Sequence, residues 1–119
     1  MSIVMKFGGT SVQDADAMRR VSRIIARHVD EGPLVVISAL AGVTQCLIEA
    51  THLASLNGRA EGFDLIADLA ARHFSIAEEL LENRNRRKSV IHFLRRAFCE
   101  IRELLESICI NGSLFTHKL

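Results

Sequence analysis

The chain has 119 residues, a formal net charge of +1 and 49% hydrophobic residues. That length bounds it to one domain at most, and the near-neutral charge leaves no electrostatic case for nucleic acid or an anionic membrane. Three cysteines without C-x-x-C spacing indicate neither a disulfide framework nor a zinc site, and one proline with seven glycines argues against a loop-rich or disordered chain.

Residues 3–7 are apolar except for Lys6, which suits a central strand covered on both faces. Gly8 and Gly9 follow, then Thr10 and Ser11 at the start of a helical pattern. Strand, glycine turn and helix N-terminus form a geometry that suits phosphate. Glycines let the backbone approach an anion, free N–H groups at a helix start point toward it, and Lys6 adds a full positive charge. Two adjacent glycines after a strand equally describe an ordinary turn, and the string matches neither the P-loop nor the G-x-G-x-x-G pattern.

Val12, Ala15, Met18, Val21, Ile25 and Val29 then recur at three- and four-residue steps, with arginines mostly off the stripe. Thr10 or Ser11 is the expected cap, with Asp14 and Asp16 near the positive end of the helix. Gly32-Pro33 is a stop signal. Residues 34–37 form a second apolar run, hence a second buried strand. Strand, helix, strand is a βαβ unit, whose parallel strands put both carboxyl ends on one edge. The loop after the second strand, residues 38–44, should therefore face a common cleft with the first. Ser38 and Thr44 equally suit capping of the next helix.

That helix is expected over residues 43–56, ended by Asn57-Gly58, with residues 59–62 as a polar linker. A long amphipathic helix through Phe63, Ile66, Leu69, Phe74 and Leu80 follows. A break at residues 83–85 and a second helix through Val90, Leu94, Phe98, Leu105 and Ile108 complete a helical hairpin. Asn111-Gly112 is the expected end of the second helix, with room for the start of another over residues 113–119. The arginines and Lys88 around the hairpin turn, among Glu78, Glu79 and Glu82, read as a solvated helix end. The five histidines show no metal-ligand spacing, and Cys46 has no evident base beside it. No stretch is a signal peptide or reaches the roughly 18 apolar residues of a membrane span, which makes the cytoplasm the expected location and free thiols the expected cysteine state.

The string Lys6-Phe7-Gly8-Gly9-Thr10-Ser11-Val12 resembles the N-terminal signature of the aspartokinases, in the amino-acid kinase superfamily. Val35-Val36-Ile37-Ser38-Ala39-Leu40-Ala41-Gly42-Val43-Thr44 resembles that family's second strand and substrate loop, in the same order and at a fitting separation. The resemblance extends from Ile3 to the end, the helical second half matching only in pattern. It implies the N-terminal portion of a three-layer α/β/α sandwich: a βαβ unit followed by a helical hairpin. It also implies transfer of the γ-phosphoryl group of ATP, accompanied by Mg²⁺, to the side-chain carboxylate of L-aspartate.

By position, Lys6 matches the lysine that neutralises charge on the transferring group. Phe7, Gly8, Gly9 and Thr10 match the phosphate-binding loop, with Ser11 a weaker match. Ser38 matches the serine near the phosphates, and Thr44 the threonine that contacts aspartate. The family's downstream glutamate motif, later glycine-rich loop and regulatory ACT domains have no counterpart in residues 1–119. The resemblance therefore implies an incomplete catalytic domain, inactive by itself and inclined to self-associate into homo-oligomers. The competing expectation is a non-catalytic oligomerising module without nucleotide binding. A third is an unrelated anion-binding protein.

Overall fold

The computed structural model describes residues 2–118, and the side chains of residues 2–111. The chain forms two compact units, residues 1–43 and 44–119.

The first unit is the expected βαβ arrangement. Strands β1 (Val4–Phe7) and β2 (Leu34–Ile37) pair in parallel, in register Val4↔Leu34 through Phe7↔Ile37. Between them lie a 3-10 turn (Gly9–Val12), helix α1 (Ala15–Arg27) and a second 3-10 turn (Val29–Glu31). Val12, Ala15 and Val21 of the predicted stripe are buried, together with Ala17. Gly32 adopts φ +60°, which turns the chain into β2 without the steric cost that a Cβ would bring.

Two expectations fail in this unit. Neither Thr10 nor Ser11 caps α1. Asp14 does, its carboxylate accepting the Ala17 N–H at 2.8 Å, because the 3-10 turn postpones the α-helix by a full turn. Nor are the strands covered on both faces. Val4 is 71% exposed, Leu34 62% and Val36 45%, because a two-stranded sheet with one crossover helix has cover for one face only. Met5, Phe7 and Val35 take the covered side, and strand alternation puts Lys6 on the open one with Val4 and Val36.

The second unit is helical: α2 (Val43–Ser55) with its first residue at the unit boundary, α3 (Arg59–Leu80) and α4 (Arg84–Lys118). The α3–α4 hairpin holds a core of Ile66, Leu69, Ala77, Phe98 and Leu105, and each large apolar side chain there contributes about 1.5–3 kcal/mol by leaving water. Asn57 takes the left-handed conformation that ends α2, at φ +68°. The break falls at residues 81–83, where the Asn83 side chain accepts the Arg86 N–H and starts α4.

Residues 59–62 are no linker. They form the first turn of α3, and Gly62 is buried there. A Cβ on Gly62 would stand 3.0 Å from the Ala50 carbonyl and 3.7 Å from Leu105, so the glycine is what admits α2 and α4 to this end of α3. Asn111-Gly112 does not stop α4 either. The Asn111 amide donates to the Ser107 carbonyl one turn back and stays inside the helix. The α/β class read from the sequence is the one seen.

Candidate active site

The two loops leave the carboxyl ends of β1 and β2 and are tied together by backbone hydrogen bonds. Ser38 N–H donates to Phe7 O at 3.0 Å, extending the ladder by one step. Ala41 N–H then donates to Gly9 O at 3.1 Å. The chains approach so closely that a Cβ on Gly9 would lie 3.2 Å from both the Ala41 Cα and its nitrogen, and 3.3 Å from the Ala39 oxygen. Gly9 is thus the residue against which the second loop packs closely. Gly8 differs: its backbone is ordinary extended structure at φ −78°, and a Cβ there would meet nothing within 4 Å. The protein fold places no demand for glycine at position 8.

Gly8 O accepts the Ser11 N–H at 3.0 Å, closing the 3-10 turn. The amides available beside Lys6 are those at the start of this turn. The positive end of α1 is already occupied by the Asp14 carboxylate, with Asp16 beside it. Thr10 and Ser11 open onto a shallow groove of about 310 Å³, whose other side is α1 with Ala17, Arg20 and Ile24. Arg20 is the residue sequence reasoning missed. It falls on the polar side of the α1 pattern, and the 3-10 turn puts Thr10 and Ser11 on the same groove.

Ser38 caps no helix, since its hydroxyl donates to the Ala39 carbonyl at 2.8 Å. Thr44 is no cap either. It is the second residue of α2, exposed, and opens the second unit. Gly42 takes φ +84° just before that helix. The Cys46 thiol is pushed up, first by burial and then by the Glu49 and Asp68 carboxylates, with Arg72 opposing. It donates to the Leu65 carbonyl at 3.7 Å, an arrangement that suits an inert thiol. Among the described residues no group of three or more His, Cys, Asp or Glu side chains is gathered to hold a metal.

A sequence pattern described as the Amino acid kinase family matches residues 1–107. The chain belongs to the amino acid kinase family. Within that family it is similar to proteins named as aspartokinases. It is 37% identical over 108 residues to Lysine-sensitive aspartokinase 3 of Escherichia coli, covering 91% of this chain and 21% of that protein. It is 46% identical over 79 residues to an aspartokinase of Chlamydia trachomatis, covering 66% of this chain and 17% of that one. Against Aspartokinase 2, chloroplastic, of Arabidopsis thaliana the identity is 34% over 82 residues, 67% of this chain and 15% of that one. This amino acid kinase segment thus spans about a fifth or less of its curated relatives. The aspartokinase resemblance carried by the two loops is borne out by these matches. Among the described residues no helix is long and apolar enough to cross a membrane.

Proposed function

We propose that the chain is the phosphate-handling part of an aspartate kinase, which transfers the γ-phosphoryl group of ATP to the β-carboxylate of L-aspartate. A carboxylate oxygen attacks the γ-phosphorus, the bond to the β,γ-bridging oxygen breaks, and ADP leaves. Such a transfer asks the protein mainly for positioning and charge neutralisation. The observation that carries the reading is the Gly9–Ala41 junction. It sets Lys6, the open backbone at Gly8 and Ser38 at one edge of the parallel strands, where ligands of α/β sheets bind.

In this reading Lys6 neutralises the migrating phosphoryl group, and Phe7 to Thr10 lie along the phosphates. Ser38 stands beside them, and Thr44 contacts aspartate. Gly8 supports the phosphate role directly: the space a Cβ would take is free, so an anion can reach the main chain there. These residues fit the phosphates of a nucleotide. Mg²⁺ would arrive on the nucleotide, and no side chain of this segment is assigned to it. The segment alone is inactive in this account, because it holds the phosphates but not the adenine. A reducing compartment such as the cytoplasm suits its free Cys46, Cys99 and Cys109. The exposed strand faces favour assembly with further copies.

The test is a titration of the chain with Mg-ATP and with inorganic phosphate, followed at the amides of Gly8, Gly9 and Thr10. Saturable changes at these amides that Lys6→Ala abolishes are expected. Binding elsewhere, or binding indifferent to Lys6, overturns the assignment.

A further inference from the structure

Two concavities of the helical unit lie side by side between α3 and α4 and share Arg95. One, of about 580 Å³, has a floor of Ala67, Ala70 and Ala71 between Phe63 and Phe74. The other, of about 340 Å³, continues it toward the hairpin turn past Ile91 and His92. Together they form one groove. Its α4 wall carries Lys88, Arg95 and Arg102, which recur every seven residues and so stand in line along the helix over about 21 Å.

Carboxylates flank this cationic line, Asp64 and Glu78 across the groove and Glu103 and Glu106 beside Arg102, but they are not tied to it. None of the three makes an ion pair with another described residue. Arg87 adds a further cation at the turn end, tied to the Leu81 carbonyl at 3.3 Å. Glu106, one turn beyond Arg102, is held by Arg59 through paired hydrogen bonds of 2.6 and 2.5 Å, and the Arg102 charge acts on the same carboxylate. Arg102 leans toward Phe63, 5.9 Å from the ring centre. The α3 wall is of the opposite kind: it offers apolar side chains and the carboxylates of Asp64 and Glu78.

We infer that this groove is a docking site for an acidic amphipathic helix of a partner protein. Charge complementarity decides the occupant. The small floor residues leave room for apolar side chains spaced along one helix face. Carboxylates on one flank of that helix meet Lys88, Arg95 and Arg102. The opposite flank is neutral or basic, because Asp64 and Glu78 repel acid there. A helix acidic on both flanks, or a basic one, is disfavoured by the same arrangement.

The probe is a labelled 20-residue helical peptide with leucines on one face and glutamates on one flank, compared with the same peptide carrying lysines instead. The acidic peptide is expected to bind the 119-residue chain at least about tenfold more tightly, with affinity falling as salt rises. Arg95→Gln with Arg102→Gln should weaken it about tenfold, since both guanidinium groups are exposed and the fold does not need them. Ala71→Trp, which fills the floor without changing charge, should abolish it. Circular dichroism and melting of each variant verify the fold. Equal affinity for the two peptides, no binding of either, or binding unaffected by both variants overturns the proposal. So does sedimentation showing a dimer that Ala71→Trp converts to monomer, since the occupant is then a second copy of this chain.

Discussion

The Gly9 carbonyl accepts the Ala41 N–H at 3.1 Å, and the Ala41 Cα stands 3.2 Å from the point where a Gly9 side chain would begin. This contact joins the first and second loops and divides the labour of the two adjacent glycines. Gly9 is a packing glycine. A Cβ on Gly8 would meet nothing within 4 Å, and that open space is available to a ligand.

The two positions should therefore respond differently to alanine. Gly9→Ala forces the second loop back by a few tenths of an ångström and should cost about 1–3 kcal/mol, the usual range for overpacking. Gly8→Ala fits its φ and the space around it, so stability should hold or rise by about 0.4–1 kcal/mol while phosphate affinity falls. Urea denaturation with parallel phosphate titration checks both. Equal destabilisation by the two substitutions would remove the distinction.

Arg59 holds the Glu106 carboxyl below its ordinary value, through the paired hydrogen bonds first, with desolvation opposing and the charges of Arg59 and Arg102 adding less. A depressed folded-state pKa means that the unfolded chain takes up the proton first as pH falls. The stabilisation is complete above the unfolded value of about 4.3 and is lost as pH drops through the folded one. Glu106→Gln should flatten that acid limb and leave its shape above about pH 6 unchanged. An unaltered acid limb in denaturation midpoints would contradict the role of the pair.

The open sheet face predicts self-association of the chain. Val36→Glu and Val4→Lys place charge on that face without touching the covered side, where Met5 and Val35 lie. Both should shift sedimentation toward monomer. A wild-type chain that sediments as a clean monomer at roughly 50 µM would refute the expectation.

Much of this is legible in the amino-acid sequence alone. Periodicity found α1 and the α3–α4 hairpin because each buries one stripe, and the apolar runs located β1 and β2 although only one face of the pair is covered. The Lys6–Val12 string and the loop through Ser38 identified the family. Features that depend on close approach between elements were not legible. Gly62 reads as a linker residue until α2 and α4 are seen against it. Asn111 reads as a stop until its amide is seen bonded to Ser107. The 3-10 turn moved the cap from Thr10 or Ser11 to Asp14, and put Arg20 on one groove with Thr10 and Ser11. The exposure of Val4 and Leu34 follows from how many strands share the sheet, which two apolar runs cannot reveal.

Thr44 is expected to act on aspartate and not on the phosphoryl group. In a catalytically complete enzyme carrying this sequence, Thr44→Ala should raise the KM for aspartate with little change in kcat. A fall in kcat at unchanged KM would assign it to the transition state instead.

The most direct measurement replaces the corresponding 108 residues of Escherichia coli Lysine-sensitive aspartokinase 3 with those of this chain and records aspartate-dependent ADP release. On the proposed reading the 119-residue chain alone should release none at a useful rate. The folded chimera should turn over at an ordinary kinase rate of about 1 per second or more, and Lys6→Ala should lower kcat by about 100-fold. A folded chimera without activity, or one whose kcat survives Lys6→Ala, would contradict the account.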